Sequence, residues 1–246
     1  DFASTSTSRA PSERIAVIAI DDQSIANIGR WPWPRDVHAK LIDQLAAAKA
    51  KTWVHTAFFF EPQIDRGLVF MRKIKDALAA GTRPSADPAD PASPAIHAAP
   101  ASDVAVAVTQ VITDAEQALD TDAQLARSMG KAGNVLVPSV FTLGQPLGRA
   151  DAPLPDFALA STVDDPTNFA LPAVRGQQPI ALIGNSAAGV AHLNQLSDVD
   201  GAVRQEPLLI DYYGKAVPSM SLLAAAHSLN LGPEDIVLQP GESVKV

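Results

Sequence analysis

Carboxylates at the ends of apolar runs are the first residues of this sequence that could do chemistry. Asp21 and Asp22 follow the run Arg14 to Ile20 (RIAVIAI), and Glu61 and Asp65 follow Lys51 to Phe60 (KTWVHTAFFF). In open α/β sheets ligands bind beyond the carboxyl ends of the strands. Acids closing two neighbouring strands would therefore converge on one rim, with the oxygen set that Mg²⁺ or Ca²⁺ prefers. The same residue types cap backbone N–H groups in turns. Capping is the expected use, and no metal follows from the spacing alone.

A second candidate is Gly184-Asn185-Ser186-Ala187-Ala188, an approximation to the G-x-S-x-G nucleophile elbow with Asp198, Asp200, Asp211 and His227 downstream. That elbow needs a strand before the serine, a helix after it and an oxyanion loop. Pro179 to Ile183 reads as a strand, but Gly189 to Leu193 reads as another strand, and no HGGG-like loop is present. A small-residue turn is the expected structure, and no catalytic residue is assigned. The same stretch lacks the lysine of a phosphate-binding loop.

The five histidines include no pair at i+3 or i+4, so zinc would require long-range convergence. His38 on a helix and His55 in an apolar strand are expected to be hydrogen-bonded structural groups. Trp31 and Trp33 alternate with Pro32 and Pro34. Each proline fixes its own φ and holds the preceding residue extended, which makes a stiff element suited to packing or to a ligand platform.

Elements of alternating type must position these residues. Arg14 to Ile20 and Lys51 to Phe60 suit strands covered on both faces. Between them Pro34, Asp36, Val37, Leu41, Ile42 and Leu45 spell a helix start and an apolar stripe. Leu68, Met71, Ile74 and Leu78 form a second helix closed by Gly81. Val104, Val108, Val111, Ile112 and Ala115 form a third, and Asp120 to Met129 a fourth. Strands follow at Asn134 to Phe141, Pro179 to Ile183 and Arg204 to Tyr213, with Thr142 to Pro179 mostly irregular. A turn at Gly214 and a helix from Ser219 to Leu231 close the pattern. The expected fold is α/β: a central mixed, largely parallel sheet flanked by helices. Gly81 to Pro100 carries five prolines, which predicts a long Pro-rich loop over 81–101.

Composition narrows the classes. Of 246 residues, 47% are hydrophobic and 19% charged, as in a folded chain with a sizeable core. A net charge of -8 argues against nucleic acid, which demands clustered Lys and Arg. The run Arg72-Lys73-Ile74-Lys75 reads as a solvated helix stripe. There are no cysteines, so disulfides and thiolate chemistry are excluded. No stretch reaches the roughly 18 apolar residues of a membrane helix. The chain starts at Asp1 without a signal peptide, as expected of a piece of a larger protein or of a processed form.

The run from Ile15 through Asp21-Asp22 to Trp31-Pro32-Trp33-Pro34-Arg35 and its helix resembles the opening of the type-2 CHASE domain, the cyclase/histidine-kinase-associated sensory extracellular domain. Three later segments agree in order. They are Phe58-Phe59-Phe60-Glu61-Pro62, Gly133-Asn134-Val135-Leu136, and Gly189 to His192 followed by Asp198-Val199-Asp200-Gly201-Ala202-Val203-Arg204. The chain departs from the pattern at Thr56, where the family often has aspartate, and in the length of its Pro-rich loop.

The resemblance implies an extracytoplasmic, periplasmic sensory input domain of a bacterial inner-membrane receptor. Residues 1–13 would be a polar tail following a membrane helix, and 14–246 one sensory domain. The output would be a histidine kinase, a Ser/Thr kinase or a nucleotide cyclase, and the domain itself would be non-catalytic and cofactor-free. Its partners would be a small-molecule or envelope stimulus, its own membrane helices and output domain, and in one assembly a second copy. No ligand-binding residue comes with the resemblance; the acidic rim and its neighbours supply the expected ligand-binding residues, Asp21, Asp22, Trp31, Arg35, Glu61, Asp198, Asp200 and Arg204. Competing expectations are a metal-assisted hydrolase on the acidic rim and a ligand-free dimerisation module.

Overall fold

A computed structural model of the chain describes residues 12–81, 103–165, 168–239 and 243–246. The expected loop over 81–101 lies, apart from Gly81, outside the described residues, as do residues 1–11 of the polar tail. The chain divides into two compact units, residues 1–33 and 34–246.

In the first unit, Ile15 to Ile20 does not form the expected strand. The segment is unpaired, and Ile15, Val17, Ile18 and Ile20 are exposed, Val17 at 89%. Apolar, β-branched composition supplies strand propensity, but a strand exists only where a neighbour takes its backbone hydrogen bonds. Asp21 instead opens the helix α1 (Asp22–Ile28). Its carboxylate accepts the Ser24 N–H at 2.8 Å while the Ser24 hydroxyl accepts the Asp21 N–H at 2.8 Å, a reciprocal cap. Trp33 donates its indole N–H to the Gly29 carbonyl at 2.8 Å and meets Trp31 edge to face.

The second unit is a six-stranded mixed sheet with helices packed on it. Its early elements are α2 (Arg35–Ala47), β1 (Trp53–Val54), α3 (Arg66–Gly81), α4 (Asp103–Leu119), α5 (Thr121–Ala132) and β2 (Val135–Leu143). After α6 (Asp156–Leu159) come β3 (Leu171–Gln177), α7 (Ala181–Gly184) and β4 (Gly189–His192). The short ribbon β5 (Leu196–Ser197) and β6 (Val203–Gln205) leads to β7 (Leu209–Tyr212), β8 (Ala216–Pro218) and α8 (Met220–Ser228). A 3-10 turn (Pro233–Asp235) and the ribbon β9 (Val237–Gln239) with β10 (Ser243–Lys245) end the chain.

β2 is the centre. It pairs in parallel with β1 and β4 and antiparallel with β3, which passes the sheet on to β7 (parallel) and β8 (antiparallel). Three of these five pairings are parallel, as the expected largely parallel sheet requires. Residues Val135 to Ser139 of β2 are all buried, as a strand covered on both faces must be. Pro138 lies past the paired end of β1 and before the first β3 pair at Val140, so β2 loses no bond there for want of an N–H. Leu125, Met129, Val135, Val137, Ile183 and Val190 form the main core, under α2 and α5.

Four expected boundaries change. Lys51 to Phe60 contributes only Trp53–Val54 as strand, because beyond His55 the backbone turns away from β2. Pro179 to Ile183 is a helical turn rather than a strand: Ile180 donates its N–H to the Phe59 carbonyl and opens α7. The irregular stretch before it hides β3, whose Pro172, Gly176 and polar residues carry little strand signal. Arg204 to Tyr213 is two strands, broken over residues 206–208.

On the edge of β2 opposite β3, past the last β4 pair at Ser139, a side chain takes the place of a strand. Phe141 donates its N–H to Asn194 Oδ1 at 2.9 Å, and Asn194 Nδ2 donates to the Phe141 carbonyl at 2.6 Å. Asn194→Ala leaves both backbone groups unpaired and is expected to destabilise the fold by about 1–3 kcal/mol in chemical denaturation. A change under about 0.5 kcal/mol would contradict this role.

Candidate functional site

Two helices begin at the carboxyl end of β1, and the segment after β1 ties them together. Pro34 offers no side chain to cap α2. Gln63 supplies the cap: its Oε1 accepts the Arg35 N–H at 2.9 Å and the Thr121 hydroxyl at 2.9 Å, so one amide serves the starts of both α2 and α5. The Gln63 N–H in turn donates to Asp122 Oδ2 at 2.9 Å.

Arg35 and Asp122 close this ring. Arg35 Nη1 donates to Asp122 Oδ1 at 2.6 Å, with both side chains only 10% exposed. Arg35 Nη2 donates to the Glu61 carbonyl, and the guanidinium lies over the Phe59 ring, 5.0 Å from its centroid. Burial lowers the Arg35 pKa from its ordinary value, while the Asp122 charge and hydrogen bond oppose that. The ion pair therefore compensates two buried charges that neither helix could tolerate alone.

One helical turn deeper, His38 of α2 meets His55 at the end of β1, with Nδ1 and Nε2 3.2 Å apart. His55 Nδ1 accepts the Ala57 N–H at 3.1 Å, which leaves Nε2 to carry the proton and donate to His38. This is the structural role expected of both residues. Burial and then the nearby His38 push His55 down to about 3. Burial first, and Arg35 second, lowers His38, against an opposing pull from Asp36.

β4 adds a third buried histidine at the same end of the sheet. His192 stands in register with Ser139 of β2, and both are fully buried. Its Nδ1 accepts the Asn194 N–H at 3.3 Å, and burial pushes it down to about 4.

The acidic turn is a separate structure. Arg204 Nη1 donates to Asp198 at 2.6 Å and to Asp200 at 2.8 Å, and Nη2 donates to the second Asp200 oxygen at 2.8 Å. Gly201 takes φ +80° and Asp200 accepts the Ala202 N–H at 3.1 Å, so glycine is needed where the chain reverses between β5 and β6. The Arg204 hydrogen bond holds the Asp200 carboxyl below its ordinary pKa. Just after β6, Glu206 accepts the Ser221 hydroxyl at 2.6 Å, and Ser219 caps α8 at the Leu222 N–H.

The expected site residues thus fall into distinct settings. Asp21, Asp22 and Trp31 lie in the first unit, where Asp21 is a helix cap. Arg35 is buried and joins the Glu61 backbone, whereas the Glu61 side chain is exposed. Asp198, Asp200 and Arg204 form one exposed cluster. Among the described residues, no group of three or more His, Asp or Glu is placed to hold a metal ion. Ser186 donates its hydroxyl to the Leu182 carbonyl at 2.9 Å, inside a helical turn rather than a strand-to-helix elbow. Sequence reasoning missed Asp122, Gln63 and Asn194. Each serves the backbone of a distant segment, and only the cap-like Asp120-Thr121-Asp122 cluster hinted at one of them.

Comparison with known proteins adds one match. The CHASE2 domain model matches residues 1–243. No curated protein and no solved structure matches the chain.

The buried histidines fix the sign of the acid response. Unfolded histidine takes up a proton near pH 6.5, whereas His55 and His192 resist it down to about 3 and about 4. Their contribution is complete above pH ~6.5 and is lost as pH falls toward those values. Unfolding at pH 4.5 is expected to need less denaturant than at pH 7, with roughly 2–3 kcal/mol lost per histidine. His55→Asn should flatten this dependence. A stability independent of pH over that interval would contradict the assignment.

Proposed function

Since the chain belongs to the CHASE2 family, the sensory extracellular domains of signalling receptors, we propose that it is the non-catalytic input domain of a membrane-bound bacterial receptor. It works on the outer side of the inner membrane, joined through membrane helices to a cytoplasmic kinase or nucleotide cyclase. A stimulus acts by binding two arrangements of those helices with different affinity. The family match over residues 1–243 carries the reading.

Side-chain commitments support it. Asp21 spends its carboxylate on a helix cap, the Ser186 hydroxyl is donated within its own turn, and Asp198 and Asp200 share Arg204. In this proposal Asp21, Asp22, Trp31, Glu61, Asp198, Asp200 and Arg204 face the stimulus or a partner, which includes a second copy of the chain. Arg35 acts from inside, as the tie that keeps α2 and α5 in one arrangement.

The full-length receptor in its native membrane tests this. Asp200→Asn with Arg204→Gln releases the β5–β6 turn, and output activity (phosphoryl transfer or cyclic nucleotide synthesis) is expected to change at least several-fold at unchanged protein level. Output identical to wild type, in these variants and in a receptor lacking the whole domain, would overturn the sensory reading.

A further inference from the structure

The turn Gly184 to Gly189 finds its use in a cavity. Together with the ends of α6 and α8 and the 3-10 turn, it lines a solvent-open cleft of about 630 Å³, within the size range of small-molecule sites. Two glycines let the walls close. A Cβ on Gly184 would stand 2.5 Å from the Phe157 ring, and one on Gly189 3.0 Å from Leu223. The ring of Phe157 and the buried Leu223 give the cavity an apolar side.

Its polar groups are sparse. Ser161 is 3% exposed and its hydroxyl accepts the Val190 N–H at 2.9 Å, which leaves its own proton to donate. His227 is held through Nδ1, 3.3 Å from the Thr52 hydroxyl, leaving Nε2. Asn185 and Asn230 are exposed where they line the cleft, and each side-chain amide offers both a donor and an acceptor. No Lys, Arg, Asp or Glu lines the cavity among the described residues. A charged ligand would lose hydration there without a counter-charge.

From this arrangement we infer that the cavity binds an uncharged, polyhydroxylated small molecule of mono- or disaccharide size. Such a molecule has an apolar C–H face for Phe157 and hydroxyl groups that both donate and accept, which pair with the two amides, Ser161 and His227. The inference deepens the sensory reading and rests on it only for its biological meaning. The sequence pattern that approximates a nucleophile elbow serves here through its small size rather than through its serine.

Purified protein provides the test. Melting temperature is followed with glucose, galactose, ribose, maltose and trehalose, each at about 10 mM, and with choline and succinate as charged probes. A neutral sugar with a Kd near 1 mM is expected to raise Tm by about 3–5 °C. The shift should vanish in Ala188→Phe, which fills the cavity from an exposed position, and shrink in Asn185→Ala. Both variants should match wild type in Tm without sugar. If either is unstable, saturation-transfer NMR on the wild type decides, with competition between sugars at one site expected. No shift with any sugar, a shift with the charged probes alone, or a shift preserved in folded Ala188→Phe would each overturn the proposal. None of those results would alter the receptor's output test, so the two readings fail separately.

Discussion

A single ion pair, Arg35 with Asp122, stands where two helix N-termini meet the segment after β1. Each partner is nearly out of contact with water, so each is tolerable only because the other is there. The pair does more than neutralise charge. Asp122 also accepts the Gln63 N–H, Gln63 caps α2, and Arg35 reaches the Glu61 carbonyl, so one closed ring of hydrogen bonds sets α2, α5 and residues 61–63 against one another. The largest part of the core lies directly beneath those two helices. A buried ion pair adds little net stability compared with apolar packing, but it permits few alternative geometries. That suits a sensory domain, which must hold one arrangement until a stimulus favours another.

The remaining polar features obey the same economy. The acids that look reactive in the sequence serve the backbone, Asp21 as a helix cap and Asp200 at a reversal, and Asn194, unmarked in the sequence, stands in for a strand on the β4 edge of Phe141. The three buried histidines are held neutral by their surroundings at the carboxyl ends of β1 and β4. Through their depressed pKa values they tie the fold's stability to pH.

Legibility in the sequence followed how local each signal was. Helical stripes with a start and stop signal, such as Leu68 to Gly81 and Asp120 to Met129, were readable within two or three residues of their ends, as was the buried strand β2. Strands that depend on distant partners were not. Ile15 to Ile20 has strong strand composition and no strand partner among the described residues, whereas Leu171–Gln177 has weak composition and two. The Asp198 to Arg204 segment, legible only through the family resemblance, folds as a turn closed by its own ion pairs. The Arg35 partner was hidden because Asp122 lies 87 positions away, and its acid is indistinguishable in sequence from an exposed first-turn residue.

A double-mutant cycle on Arg35 and Asp122, followed by equilibrium chemical unfolding of Arg35→Met, Asp122→Leu and the double variant, tests the account most directly. The buried pair predicts that Arg35→Met and Asp122→Leu each cost about 3–5 kcal/mol alone, and that the double variant is no less stable than either. The coupling would then exceed about 2 kcal/mol. Single variants that each cost under about 0.5 kcal/mol and simply add would contradict it.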